Sequence, residues 1–62
     1  MDADRLLLTP AAAAEKLSLA RSTVYQLVLT GELESIKIGR SRRVLASALT
    51  DYIERLRREQ RT

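Results

Sequence analysis

A small, mostly helical α+β fold with element order α-α-β-β-α is what three features of the sequence predict. Apolar residues recur at helical spacing in two stretches before Gly31 and in one that begins at Leu45. The segment between them, "ESIKIGRSRRVL", alternates in the manner of two strands bent around a glycine. Only Ser18 to Ala20 separate the first two helical stretches, the compact linkage of a helix-turn-helix.

The first helix is expected from about Pro10 to Leu17 in "LLLTPAAAAEKLSL". Thr9 offers a hydroxyl to an unpaired N–H of the first turn, and proline at the first helical position loses nothing by lacking its own N–H. Ala11 to Ala14 give strong helix propensity and a thin profile against which a second helix packs closely. In "SLARSTVYQLVLTGEL", Leu19, Val24, Leu27 and Val28 form the apolar face until Gly31 stops the helix. Arg21, Ser22, Thr23, Tyr25 and Gln26 are left on the outer face.

Alternation in the next segment predicts that Ile36 and Ile38 point to the core with Val44, while Ser35 and Lys37 point away. Gly39 marks the bend, and Gly39 to Arg42 are expected to join the strands, with the arginines at the tip and on the outer face. A hairpin this short needs helices against its apolar side. The last helix carries Leu45, Ala48, Leu49, Tyr52, Ile53 and Leu56 as an unbroken stripe, expected to be consumed by the core. Glu54 and Arg58 form an i, i+4 pair in the favourable order, and Arg55, Arg57, Arg58 and Arg61 suit the negative end of the helix dipole.

Composition narrows the function. A chain of 62 residues makes one domain, expected over 1–62 with a core at about 6–56 and a basic tail at 57–62. No cysteine and no histidine exclude disulfides, thiolate nucleophiles and the usual zinc sites. No metal, cofactor or small-molecule ligand is expected. The carboxylates Glu15, Glu32, Glu34, Asp51, Glu54 and Glu59 are scattered, and no glycine-rich phosphate loop or nucleophile–base pair is present, so an enzyme is not expected. No apolar run reaches the roughly 20 residues of a membrane span, and Asp2 and Asp4 stand where a secretory signal carries positive charge. A cytoplasmic protein is expected.

The net charge of +3 is unevenly spread. Residues 1–34 carry three basic and five acidic side chains, a net −2; residues 35–62 carry eight and three, a net +5. Such asymmetry favours a polyanionic partner. An anionic membrane surface is the weaker choice, because Tyr52 is the one aromatic on the last helix and its stripe is needed inside.

A helix-turn-helix followed by a basic hairpin is the layout of a winged helix-turn-helix, and double-stranded DNA is the partner it suits. The second helix enters the major groove with its N-terminal end. Arg21 is placed to read a guanine, Gln26 an adenine and Thr23 a thymine methyl, while Ser22 and the Tyr25 hydroxyl hold phosphates. Lys37, Arg40, Arg42 and Arg43 lie along the backbone or dip into the minor groove. Protection of a sheet edge also calls for cations, but four without an anion exceed that need.

The stretch "LLLTPAAAAEKLSLARSTVYQLVLTGELESIKIGRSRRVLASALTDYI" resembles the excisionase-type DNA-binding domain, a small MerR-like winged helix-turn-helix, over about residues 6–53. The parts that carry the resemblance are "LLTP" before an alanine-rich helix, "RSTVYQLV" with "GEL" after it, and "IGRSRRV". It implies that Arg21, Ser22, Thr23, Tyr25 and Gln26 lie on the recognition helix and Arg40, Ser41, Arg42 and Arg43 on the wing. Departures include Ser18, Leu19 and Ala20, where the family usually has glycine, a hydrophobe and a capping serine, so Ser18 or Ser22 is left as the alternative cap. A freestanding domain of this kind looks like a phage or prophage excisionase. Such recombination directionality factors bend DNA beside an attachment site, bind as several copies, and steer a tyrosine integrase toward excision. The alternative is a small MerR-like transcription regulator, which as a symmetric dimer would need a palindromic site.

Overall fold

The computed structural model describes residues 6–61; residues 1–5, including the acidic N-terminal positions, and Thr62 at the end of the expected tail lie outside the described residues. The elements are β1 (Leu7–Leu8), α1 (Pro10–Leu17), α2 (Arg21–Leu29), β2 (Ser35–Ile38), β3 (Ser41–Leu45) and α3 (Ala46–Gln60). The strands form one antiparallel sheet in the order β1-β3-β2. A helix-turn-helix followed by a β2–β3 hairpin and a closing helix is the winged helix-turn-helix arrangement expected above, with β1 as an added strand.

Local chemistry sets the helix ends. The Thr9 hydroxyl accepts the Ala12 N–H at 3.0 Å, and Pro10 opens α1. At the other end Leu19 N–H reaches the Ala14 carbonyl at 2.9 Å and Ser18 N–H the Glu15 carbonyl at 3.1 Å, the paired bonds of a Schellman stop. That stop requires a left-handed residue, and here it is Ser18 at φ 58° rather than glycine. Ser18 is therefore committed to ending α1. Neither it nor Ser22 caps α2, whose cap position is Ala20 with no side-chain hydrogen bond.

Past α2, Gly31 at φ 82° reverses the chain. Leu33 N–H then bonds the Leu27 carbonyl at 3.1 Å, and the Leu33 side chain drops into the core at 1% exposure. The core joins Leu33 and Leu8 to Ala13 and Ala14 of α1, Val24 of α2, Val44 of β3, and Ala48 and Leu49 of α3. Leu17, Leu27, Val28, Leu45 and Tyr52 pack around it.

The hairpin differs from the expectation. Only Gly39 and Arg40 form the turn, because Ile38 pairs directly with Ser41. Gly39 takes φ 61° at the first turn position, which suits a tight two-residue connection. Ser41, Arg42 and Arg43 therefore belong to β3, and Arg40 alone of the arginines is in the turn. A turn with an even number of residues pairs even-numbered positions with odd ones. Ser35, not an isoleucine, thus stands opposite Val44, and Ile36 and Ile38 face away from the core.

Two expectations for α3 also need correction. Ala48 and Leu49 are buried, Tyr52 and Leu56 half-buried and Ile53 exposed, so the core consumes only the first part of the stripe. The helix outruns a core this small. Glu54 pairs with Arg57 at 3.6 Å rather than with Arg58. Among the described residues, no helix is long and apolar enough to cross a membrane.

Ser18→Gly relieves the left-handed serine and is expected to stabilise the protein by about 0.5–1 kcal/mol. Thermal unfolding followed by circular dichroism should show a midpoint higher by roughly 2–8 °C; an unchanged or lower midpoint would mean that Ser18 carries no backbone strain.

Candidate nucleic-acid interface

The candidate site is built on α2 and on the hairpin that follows it. Val24 is fully buried and Leu27 and Val28 are half-buried, which fixes the rotation of α2. Helical spacing then puts residues 22, 26 and 29 at the middle of the solvent face, with residues 21 and 25 on one flank and 23 on the other. Arg21, Ser22, Thr23, Tyr25 and Gln26 are all exposed, as the sequence pattern predicts. Leu29 shares this face at 80% exposure and was not among the expected residues. Its signal in the sequence is its spacing: five residues after Val24 carries it about 140° around the helix, away from the buried face.

At its N-terminus α2 has no capping side chain and no acidic residue in its first turn. The Ala20 carbonyl takes the Thr23 and Val24 N–H groups. The remaining N–H groups at the start of the helix face outward with the positive end of the dipole, where an anion is favoured. Arg21 stands at this point, on the rim of a shallow groove shared with Ala11, Glu15 and Leu19.

On the hairpin, register decides which cations meet. Lys37 lies directly opposite Arg42, on the helix-facing side of the sheet but beyond the core. Arg43 lies opposite Ile36 on the outer side and is half-buried. Arg40 is exposed in the turn and Ser41 beside it on β3. The Arg42 guanidinium donates to the Ser35 hydroxyl at 3.3 Å, and that of Arg43 donates to the Arg42 carbonyl at 3.0 Å. Both bonds hold the side chains in place and leave their charge uncompensated.

Two of the basic residues of α3 behave differently. Arg55 donates to Glu32 at 3.3 Å, approaches Glu59 at 3.9 Å, and lies over the Tyr52 ring at 5.5 Å from its centre. Arg57 is paired with Glu54. Arg55 thus ties the loop before β2 to α3. Among the described residues, Arg21, Lys37, Arg40, Arg42 and Arg43 have no carboxylate within ion-pair distance. Arg55 and Arg57 are neutralised within the fold, whereas the cations of α2 and the hairpin, like Lys16, Arg58 and Arg61, have no ion-pair partner among the described residues.

The sequence matches the family described as "Helix-turn-helix domain" over residues 7–57. A protein of Saccharopolyspora erythraea described as a probable excisionase is 49% identical over 53 residues, covering 86% of this chain and 54% of its own length. A Mycobacterium tuberculosis protein described as DNA-binding is 46% identical over 48 residues, 77% of this chain and 62% of its own. An excisionase of Streptomyces ambofaciens is 44% identical over 48 residues, 77% of each chain. The chain therefore spans somewhat more than half the length of the first two relatives. No solved structure matches it.

Like charges directly across a strand pair repel, so Lys37→Glu is expected to stabilise the free protein by about 0.2–1 kcal/mol through an attraction to Arg42. The thermal midpoint should rise at low salt, and the gain should shrink as salt is added. A fall in the midpoint would show that Lys37 and Arg42 are not in contact.

Proposed function

The chain belongs to this helix-turn-helix domain family, within which it is an excisionase-type protein, and on that premise we propose that it binds and bends double-stranded DNA as a recombination directionality factor. The observation that carries this reading is the open set of cations. Four of them crowd one short hairpin without an acidic neighbour on it, and two stand directly opposite each other. A fold that tolerates that repulsion when free gains most from a partner dense in negative charge.

The roles follow from position. The N-terminal turn of α2 approaches the major groove, where the Arg21 guanidinium spans the O6 and N7 of a guanine and the Gln26 amide pairs with an adenine edge. Thr23 meets a thymine methyl from the flank of the helix, while the Ser22 and Tyr25 hydroxyls donate to phosphates. Lys37, Arg40, Arg42 and Arg43, with the Ser41 hydroxyl among them, take the neighbouring backbone and minor groove. No bond is made or broken by these residues. Binding energy is used to bend the duplex, at a cost on the order of 1–6 kcal/mol for a short site. Contacts between copies on adjacent sites and with a tyrosine integrase offset that cost.

A second reading, a dimeric transcription regulator, gains one supporting observation. Ile53 is 44% exposed on α3, so the outer turns of that helix retain apolar surface for a partner copy.

Selection of tight duplexes from a random pool, followed by gel-shift titration, separates the readings. Short direct repeats filled cooperatively are expected for the excisionase, a palindrome filled by two copies would favour the regulator, and no enrichment would remove both. On the selected duplex, Arg21→Ala is expected to relax the preference at one base pair by about 1–3 kcal/mol while leaving affinity for unrelated DNA nearly unchanged. Uniform weakening on all sequences would make Arg21 a phosphate contact.

A further inference from the structure

The register of the hairpin leaves an apolar surface that the core does not use. Ile36 and Ile38 lie on the outer side of the sheet at 39% and 54% exposure. Leu45 and Leu7, a directly opposed pair farther along the sheet, are half-buried, and Leu45 packs against the core, so the free apolar surface is that of Ile36 and Ile38. Bare β-branched residues on an edge strand are a liability for aggregation, and β2 is such an edge. Two arginines flank them. Arg43 stands opposite Ile36, Ser41 opposite Ile38, and Arg40 follows Ile38 across Gly39. Ile38 is the last residue of β2 and the apolar side chain nearest the hairpin end.

An apolar side chain at the end of a hairpin, flanked by two arginines, has the chemistry of a minor-groove wedge. We propose that Ile38, backed by Ile36, inserts at a base step from the minor groove and partly unstacks it, while Arg40 and Arg43 hold the flanking phosphates. This rests on the DNA-binding reading above and supplies its bend with a physical cause. Apolar wedges of this type kink duplexes toward the major groove. DNA is favoured over a protein partner because the charged side chains nearest Ile38 are the arginines Arg40 and Arg43: a protein would need both an apolar socket and acidic groups beside it, whereas a duplex presents base faces and phosphates together.

The test uses duplexes selected by the wild-type protein, with 2-aminopurine replacing adenine at successive positions, together with a circular-permutation bend assay. Wild-type protein is expected to raise the fluorescence several-fold at one position and to bend the duplex by about 20–90°. Ile38→Ser should still bind, with the fluorescence rise gone and at least about half the bend lost, and Ile38→Leu should retain both. Because the side chain lies outside the core, the thermal midpoint of Ile38→Ser should match that of the wild type. Equal bending and unstacking by Ile38→Ser would overturn the wedge, as would wild-type binding with no unstacked base. A concentration-dependent dimer without DNA that Ile38→Ser abolishes would also overturn it and assign the surface to a second copy. If the wild type binds no duplex at all, the DNA-binding reading fails and the wedge falls with it.

Discussion

The pairing of β3 with a strand on each side is the constraint on which the rest of this protein depends. Val44 lies at its centre, fully buried, opposite Leu8 of β1 and Ser35 of β2. Once the two-residue turn at Gly39 and Arg40 fixes that register, each other side chain of the hairpin has one available face. Lys37 must meet Arg42, the isoleucines must face outward, and β3 must lead directly into α3. The Ala46 N–H bond to the Leu6 carbonyl at 2.9 Å then closes the N-terminal segment onto the start of that helix. A core of eight small or medium side chains holds three helices because the alanines of α1 allow close approach.

Charge is arranged unevenly on this frame. The long-range pair between Arg55 and Glu32 neutralises charge where α3 meets the loop after α2, and so supports the fold. Both side chains are well exposed, so the pair contributes modestly. Among the described residues, the hairpin and the first turn of α2 carry no such compensation. Surface repulsion between Lys37 and Arg42 persists in the free protein as a small instability that a polyanion would remove. The Lys37–Arg42 pair is thus a local departure from what stability alone would select, and the proposed DNA contact gives it a use.

Much of this was legible in the sequence where the governing chemistry is local. Thr9 and Pro10 announced α1, Gly31 announced the end of α2, and the spacing around Val24 identified the outer residues of α2. Other features depend on partners far along the chain. Two leucines cannot show by alternation that β1 exists; they become a strand because β3 pairs with them. Leu33 sits in a loop sequence, and nothing local reveals that it fills the core. Alternation within each strand does not say which faces coincide across the pair; any even-numbered turn sets an odd-numbered residue opposite Val44, which puts Ile36 and Ile38 on the opposite face. Arg55 finds Glu32 across the fold as well as Glu59 one turn along its own helix, and Glu54 takes Arg57 at i, i+3 in place of Arg58, a choice that helical spacing alone leaves open.

The central claim is that the uncompensated cations form one surface for the phosphates of a duplex. The most direct test is the affinity for a short duplex measured across a range of salt concentrations. With about five phosphate contacts, log affinity should fall against log salt with a slope of about −4 to −5, and Arg42→Ala should flatten it by about 0.9. A slope near zero, or one that Arg42→Ala leaves unchanged, would contradict the account and leave the hairpin's charge without the partner assigned to it.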